Sequence, residues 1–323
     1  MMRKKALLAV AALAWSALCG AQAYPARTIT FIVPAPPGGA TDTIARALAE
    51  DMGKRLGQTI IVDNKPGAAG MLAVQALTRA APDGYTLLIT HSAPIMNTPY
   101  LYSHVSYDVR RDLAFVSEIC IGQIVFAVNS KIPARNMQEF FDWAAQNKGK
   151  VSYGSYGTGS FPHLLGAYLN QSRGLDMTHI AYKGEAPMVQ DMIGGNISWA
   201  IGSVSTLGPQ IQGGRLRALA IVGKQRVKAL PNVPTLSEAG LRDQELSPPG
   251  WVGLMARSGT PAPVLAQLEA QARASVNSAA MKERFQSLGL EPVGSTSAEF
   301  KRDFETLEPV MARLIKATGA KAD

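Results

Sequence analysis

The sequence predicts an α/β protein of two lobes, each a mostly parallel sheet flanked by helices. Three observations carry this expectation. At 323 residues the chain is too long for one small core and suits two α/β units. Short β-branched apolar runs bounded by turn residues alternate with helical patterns, as parallel strands joined by crossover helices do. These runs form two series, followed by a Pro-rich stretch at 229–263 and two further helical patterns.

Taken in order, residues 1–23 read as an export leader. Arg3, Lys4 and Lys5 precede an apolar run, Ala6 to Leu18, that is too short and Ala-rich to span a membrane. Ala21-Gln22-Ala23 is an A-x-A signal, so cleavage is expected after Ala23, with the mature chain in the periplasm. Leu18 disfavours Cys19 as a lipid acceptor, which leaves Cys120 as the one mature cysteine, expected to be a small buried hydrophobe.

The first strand series is "TITFIV" (28–33), "TIIV" (59–62), "YTLLIT" (85–90) and "IVFAVN" (124–129). The second is "KVSYG" (150–154), "MTHIAY" (177–182), "ISWAI" (197–201) and "RALAIV" (217–222). Between the first two runs Ile44, Leu48 and Met52 share one helical face. The Pro-rich stretch holds one buried strand at 251–256 and is expected to carry the chain between lobes. The last helical pattern opens with Thr296 and Glu299 in capping-box spacing, and Pro309 inside it predicts a kink or break. The expected division is 24–125 for the first part of lobe 1, 126–228 for lobe 2, and 229–323 for the crossing and return to lobe 1.

Composition narrows the function classes. Removing the leader's three cations from a formal charge of +8 leaves a modest excess, and no basic run is interleaved with aromatics. Nucleic acid is therefore not implied as a partner. His91, His104, His163 and His179 show no metal-ligand spacing, and neither a G-x-S-x-G elbow nor a carboxylate pair stands out. No cofactor and no catalytic residue is predicted.

The chemistry concentrates at strand-to-helix junctions. After "TITFIV" comes "PAPPGGA", then Thr41-Asp42 at a helix mouth, with no lysine or arginine. Free N–H groups and glycines at a helix N-terminus make an anion seat. A plain βα turn capped by Thr41 or Asp42 explains the loop equally well. "KVSYGSYGTGSFPHLLGAYL" repeats the construction from Gly154 to Ser160, and two such seats would grip one small anion between the lobes. His91 and Ser92 follow the strand "YTLLIT", where ligand residues are expected, although a structural histidine is the ordinary alternative. At the junction "AYKGEAPMVQDMIGG", Tyr182 ends a strand and Lys183 faces either the cleft or solvent.

"VPAPPGGATD", "VDNKPGAAG", "PDGYTLL", "YGTGSFPHL", "AYKGEAPMVQDMIGG", "GGRLRALAI" and "LPNVPTLSEAG" occur in this order across essentially the whole mature chain. As an ordered set they resemble the periplasmic solute-binding proteins of tripartite tricarboxylate transporters, the Bug family. The resemblance implies a hinge-closing periplasmic binding protein (Venus flytrap) fold that captures small carboxylates for integral membrane subunits. It also implies a monomer rather than an enzyme. Carried over residue by residue, it points to Pro37, Gly38, Gly39, Ala40 and Thr41 in one lobe, and to Ser155, Gly157, Thr158, Gly159 and Ser160 in the other. Asp42 matches the family's acidic position, which matters electrostatically where a ligand carries an amino group and otherwise caps the helix or binds water. The chain departs from the family pattern at Gly202, Ala181 and His91, and Tyr156 and Phe161 add aromatic bulk to the second loop. These departures favour a ligand larger or flatter than glutamate-like acids, a dicarboxylate with aromatic ones among the candidates, and His91 near its distal carboxylate. A periplasmic esterase using Ser160 with His91, and a sensory receptor, are the alternatives.

Overall fold

The computed structural model describes residues 24–246 and 250–322. The leader and its cleavage site lie outside them. In chain order the elements are β1 (Ile29–Val33), α1 (Ala40–Leu56), β2 (Ile60–Asn64), α2 (Met71–Arg79), β3 (Thr86–His91), β4 (Leu113–Gly122), β5 (Ile124–Asn129), α3 (Met137–Gln146), β6 (Ser152–Ser155), α4 (Phe161–Arg173), β7 (Thr178–Ala181), α5 (Glu185–Gly194), β8 (Trp199–Ser203), α6 (Val204–Gln212), β9 (Leu216–Val222), β10 (Trp251–Arg257), α7 (Ala262–Val276), α8 (Ala279–Ser287), β11 (Leu290–Pro292) and α9 (Ser297–Thr318). One-turn helices at Ala93–Met96, Thr98–Leu101 and Val109–Asp112 link β3 to β4.

Two sheets result, ordered β11-β4-β10-β3-β1-β2 and β7-β6-β8-β5-β9. In the first, β1 pairs in parallel with β2 and β3, and β10 runs antiparallel to both β3 and β4. In the second, β6 pairs in parallel with β7 and β8, and β5 runs antiparallel to β8 and β9. Most strands in each sheet thus point one way. The reversed pairings have a simple cause: β5 and β10 are the strands by which the chain enters one sheet and re-enters the other, so each starts where its neighbours end.

Each sheet is covered on both faces. On the first, α1, α7 and α8 pack one side and α2 and α9 the other. Ile44, Leu48 and Met52 of α1 are fully buried, each contributing about 1.5–3 kcal/mol. Gly57, left-handed at φ 65°, ends that helix. On the second sheet α3 and α4 cover one face, where the Phe126 and Trp199 rings stack at 4.5 Å, and α5 and α6 cover the other. Cys120 is fully buried in the first core, as the sequence suggests.

The helix at the C-terminal end starts as predicted: Glu299 N–H donates to Thr296 Oγ1, and Thr296 N–H donates to the Glu299 carboxylate. The expected break at Pro309 does not occur. The helix runs on to Thr318, because Val310, Met311, Leu314 and Ile315 continue the buried stripe of Phe300 and Phe304. That packing outweighs one missing backbone bond.

The chain passes from the first sheet to the second through Gln123 alone and returns through residues 223–250. The two crossings touch, Gly122 N–H donating to the Gly250 carbonyl at 3.0 Å. No helix of the described residues is long and apolar enough to cross a membrane.

Candidate ligand cleft

The Gly-rich loops follow the carboxyl ends of β1 and β6, one on each sheet. In the first loop Pro36, Pro37 and Gly38 are exposed, but its backbone donors are partly spent. Gly38 N–H donates to Asp42 Oδ2 at 2.8 Å and Gly39 N–H to the Pro36 carbonyl at 3.1 Å. The donors without a partner among the described residues are the N–H groups of Ala40, Thr41 and Asp42, the first turn of α1. The free donors of this loop are therefore those of the helix mouth rather than of the glycines, whose role is to shape the turn.

Asp42 is 2% exposed and fully engaged. Besides Gly38 it accepts from Arg46 Nε at 2.9 Å and from Asn64 Nδ2 at 2.8 Å. Burial alone would raise its pKa, but the hydrogen bonds from Arg46, Asn64 and Gly38 together hold the carboxyl below its ordinary range. Asn64 also donates to the Ala35 carbonyl, tying the end of β2 to the loop. Neither Arg46 nor Asn64 was predicted. Asn64 does sit in the quoted "VDNKPGAAG", and Arg46 lies one helical turn beyond Asp42.

Two histidines organise the second loop. His163 Nδ1 accepts from Gly159 N–H at 3.0 Å, and His179 Nε2 lies 2.7 Å from Ser155 Oγ. Their rings stack at 4.1 Å. Burial depresses the pKa of His163, and burial followed by the neighbouring His163 brings His179 to about 4, so both are neutral at neutral pH. Ser155 is fully buried and, with Ser160, donates to the Gly157 carbonyl, at 3.0 and 2.6 Å. These hydroxyls brace the loop from inside. Thr158 is exposed, and Tyr156 and Gly157 are part-exposed. The N–H groups of Tyr156 and Thr158 have no partner among the described residues. Burial, with the Glu185 carboxylate nearby, pushes the Tyr156 hydroxyl pKa up.

Both loops abut one segment of the first lobe. A Cβ on Gly70 would lie 2.3 Å from Pro94 Cγ and 3.3 Å from Pro34 Cβ, so loop one, Gly70 and Pro94 are in close contact. Three residues on, Asn97 Nδ2 donates to the Gly159 carbonyl at 3.3 Å, and a Cβ on Gly159 would lie 2.6 Å from Leu101 Cδ1. The segment that follows His91 and Ser92 thereby spans from one Gly-rich loop to the other. Asn97 is 4% exposed, and its Oδ1 has no partner. The loop before Gly70 carries Ala68 and Ala69 at φ 46° and 50°, sparsely populated for alanine, with the Ala69 carbonyl accepting from Thr98.

The remaining predicted residues divide. His91 ends β3, and burial depresses its pKa to about 4. Ser92 is 9% exposed just beyond it. Phe161 belongs to the core of the second sheet rather than to the loop surface. The Tyr182 hydroxyl is donated to Asp191 at 2.7 Å, whereas Lys183 is exposed. Beside the backbone of Gly202, Glu185 accepts from Ser203 N–H at 2.9 Å and Ser203 Oγ at 2.6 Å, so a carboxylate from α5 serves where Gly202 has none.

Two α/β lobes joined by paired crossings, with a Gly-rich loop from each abutting one shared segment, define the class of two-lobed periplasmic binding proteins. Residues 44–319 match the family described as tripartite tricarboxylate transporter family receptor. The chain belongs to this TctC family, which includes the Bug proteins. Protein BugT of Bordetella pertussis is 34% identical over 302 residues, covering 93% of this chain and 92% of that one. Among solved structures, the periplasmic binding protein BugD is 30% identical, with 93% of this chain and all of that one aligned at a TM-score of 0.73. R. palustris Rpa4515 with adipate is 26% identical, with 92% and 99% aligned at a TM-score of 0.76.

Proposed function

We propose that the protein captures a small dicarboxylate between its two Gly-rich loops and delivers it to the integral membrane subunits of a tripartite tricarboxylate-type transporter. The observation that carries this reading is the set of unpartnered N–H groups at Ala40, Thr41 and Asp42, together with those of Tyr156 and Thr158 on the loop that abuts the same segment of the first lobe. Two donor sets on different lobes reward closure, because a ligand favours the closed form only by touching both. One carboxylate sits on the mouth of α1 beside Thr41, with Pro37, Gly38 and Gly39 as its wall. Gly157, Gly159 and Ser160 shape the opposing loop, and His91 with Ser92 meets the second carboxylate.

Asp42 argues for carboxylates over amino acids: its oxygens are already occupied by three donors and have little left for a ligand ammonium. The adipate seen with the similar R. palustris protein is a dicarboxylate of the kind proposed. Export with cleavage after Ala23, a periplasmic monomer, and lobes of 24–125 with 229–323 and of 126–228, the first boundary drawn back to Gln123 so that β5 lies wholly in the second lobe, complete the proposal. The esterase alternative loses ground because Ser160 Oγ is committed to the Gly157 carbonyl, which leaves no nucleophile–base pair with His91.

A thermal-shift and calorimetric panel of mono-, di- and tricarboxylates and amino acids tests the reading. A true ligand at a hundredfold excess over its Kd stabilises by about 2.7 kcal/mol. Ala40→Pro removes one of these free N–H groups at the first helical position, where proline is accepted, and should weaken binding while leaving the unliganded midpoint in place. Tight binding of amino acids alone, or unchanged binding by Ala40→Pro, would overturn the proposal.

A further inference from the structure

A cavity of about 330 Å³ lies at the opposite edge of the two sheets from the Gly-rich loops. Its walls come from β4, β11 and α9 of the first lobe, from the exit of β9, and from Ile124 of β5, whereas the loops follow β1 and β6 further along each sheet. The wall carries Glu118, Glu291 and Asp303 against a single cation, Lys224. The rest is mainly apolar, with Ile121, Val293 and Leu307 as its part-exposed apolar side chains.

Glu118 sets this cavity apart from an ordinary crevice. It is 5% exposed, and its carboxylate has no hydrogen-bond partner among the described residues. Its backbone is held by Ser295, whose hydroxyl accepts from Glu118 N–H at 2.9 Å, so the side chain is placed by a fixed strand. A buried carboxylate left without donors is costly, and a cationic occupant relieves that cost. The walls exclude the dianion proposed for the cleft. Among the described residues no three His, Cys, Asp or Glu side chains are grouped to hold a metal. The volume falls within the range of small-molecule pockets.

We infer that this cavity is a second binding site, for a small organic ammonium ion with a short apolar body. The ammonium meets Glu118, with Asp303 and Glu291 adding to the field, and the alkyl body lies against Ile121, Val293 and Leu307.

The probe is n-butylammonium chloride, titrated calorimetrically into the full mature chain, with sodium butanoate and n-butanol as arms of matched shape. Butylammonium should bind one per chain in the millimolar range, and n-butanol and butanoate should not bind there. Glu118→Gln should weaken butylammonium at least tenfold, and Ala40→Pro should leave it unchanged. A second reading needs no variant. Burial, followed by the charge of Asp303, raises the Glu118 pKa to about 7, with Lys224 opposing. The groups facing Glu118 are Asp303 on α9, Glu291 on β11, Lys224 after β9 and Cys120 on its own strand. Lowering the pH from about 8 to 6 protonates Glu118 and should weaken the cation about tenfold. Absence of butylammonium binding, equal binding of n-butanol, or binding indifferent to both Glu118→Gln and pH would overturn the inference.

Discussion

Acid should weaken this protein through His91, and the size of the effect follows from its burial. The imidazole ends β3 beside β10, and burial takes its pKa from 6.5 to about 4. The folded state therefore holds the neutral ring, while the unfolded chain takes up a proton near pH 6.5. Between those values the unfolded state binds more protons, so the contribution is fully present above pH 6.5 and is lost as pH falls toward 4. From pH 7 to pH 5 the unfolded group goes from about a quarter to nearly fully protonated, while the folded group takes up almost no proton. At 1.36 kcal/mol per unit this is about 2 kcal/mol, or about 1–2 kcal/mol once the ring's partial exposure is allowed for. The assay is urea unfolding followed by tryptophan fluorescence at both pH values, on the wild type and on His91→Gln. His163 and His179 lose stability in the same window and Glu118, raised to about 7, gains it, so the His91 share is read as the difference between wild type and variant, the wild type losing about 1–2 kcal/mol more from pH 7 to pH 5. An identical loss in both proteins would refute the assignment to His91.

Three further outcomes follow from the loops. Gly70→Ala places a methyl group 2.3 Å from Pro94 Cγ at φ +87°, and should cost about 1–3 kcal/mol, read as a lower urea midpoint. Asp42→Asn removes the charge that holds Gly38, Arg46 and Asn64, and should cost about 1–2 kcal/mol together with weaker carboxylate binding; unchanged affinity by calorimetry would show that the first loop keeps its shape without it. Gly166→Ala puts a methyl 2.2 Å from Tyr153 Cε2 within the second lobe, so a lower midpoint with unchanged carboxylate affinity is the expected result.

The strands that read plainly in the sequence are those whose burial is uniform. "IVFAVN" is β5 residue for residue, and every position of it is buried. β4 was not singled out, although it has ten residues, because Ser117 and Glu118 interrupt its apolar run and both are buried. No local pattern announces a buried Glu118; only the cavity it lines accounts for it. β11 is three residues long and exists by pairing with β4, which leaves little to read in isolation.

The first loop is legible as a helix mouth, since Pro, Gly, Thr and Asp in that order have few other uses, and the second by its run of Gly, Ser and Thr before Pro162. Which of their donors stay free was not legible, because that depends on Asn64 and Arg46 reaching back to Asp42. The same holds for His163 and His179, sixteen residues apart in sequence and stacked in space.

The paired crossings have a mechanical consequence. Gln123 connects the halves in one step, and Gly122 N–H is bonded to the Gly250 carbonyl where the chain re-enters the first sheet, so the two crossings are held side by side at one point. Leu164 of α4 sits in the core of the first lobe, so any rotation about that point must also slide α4 against α9.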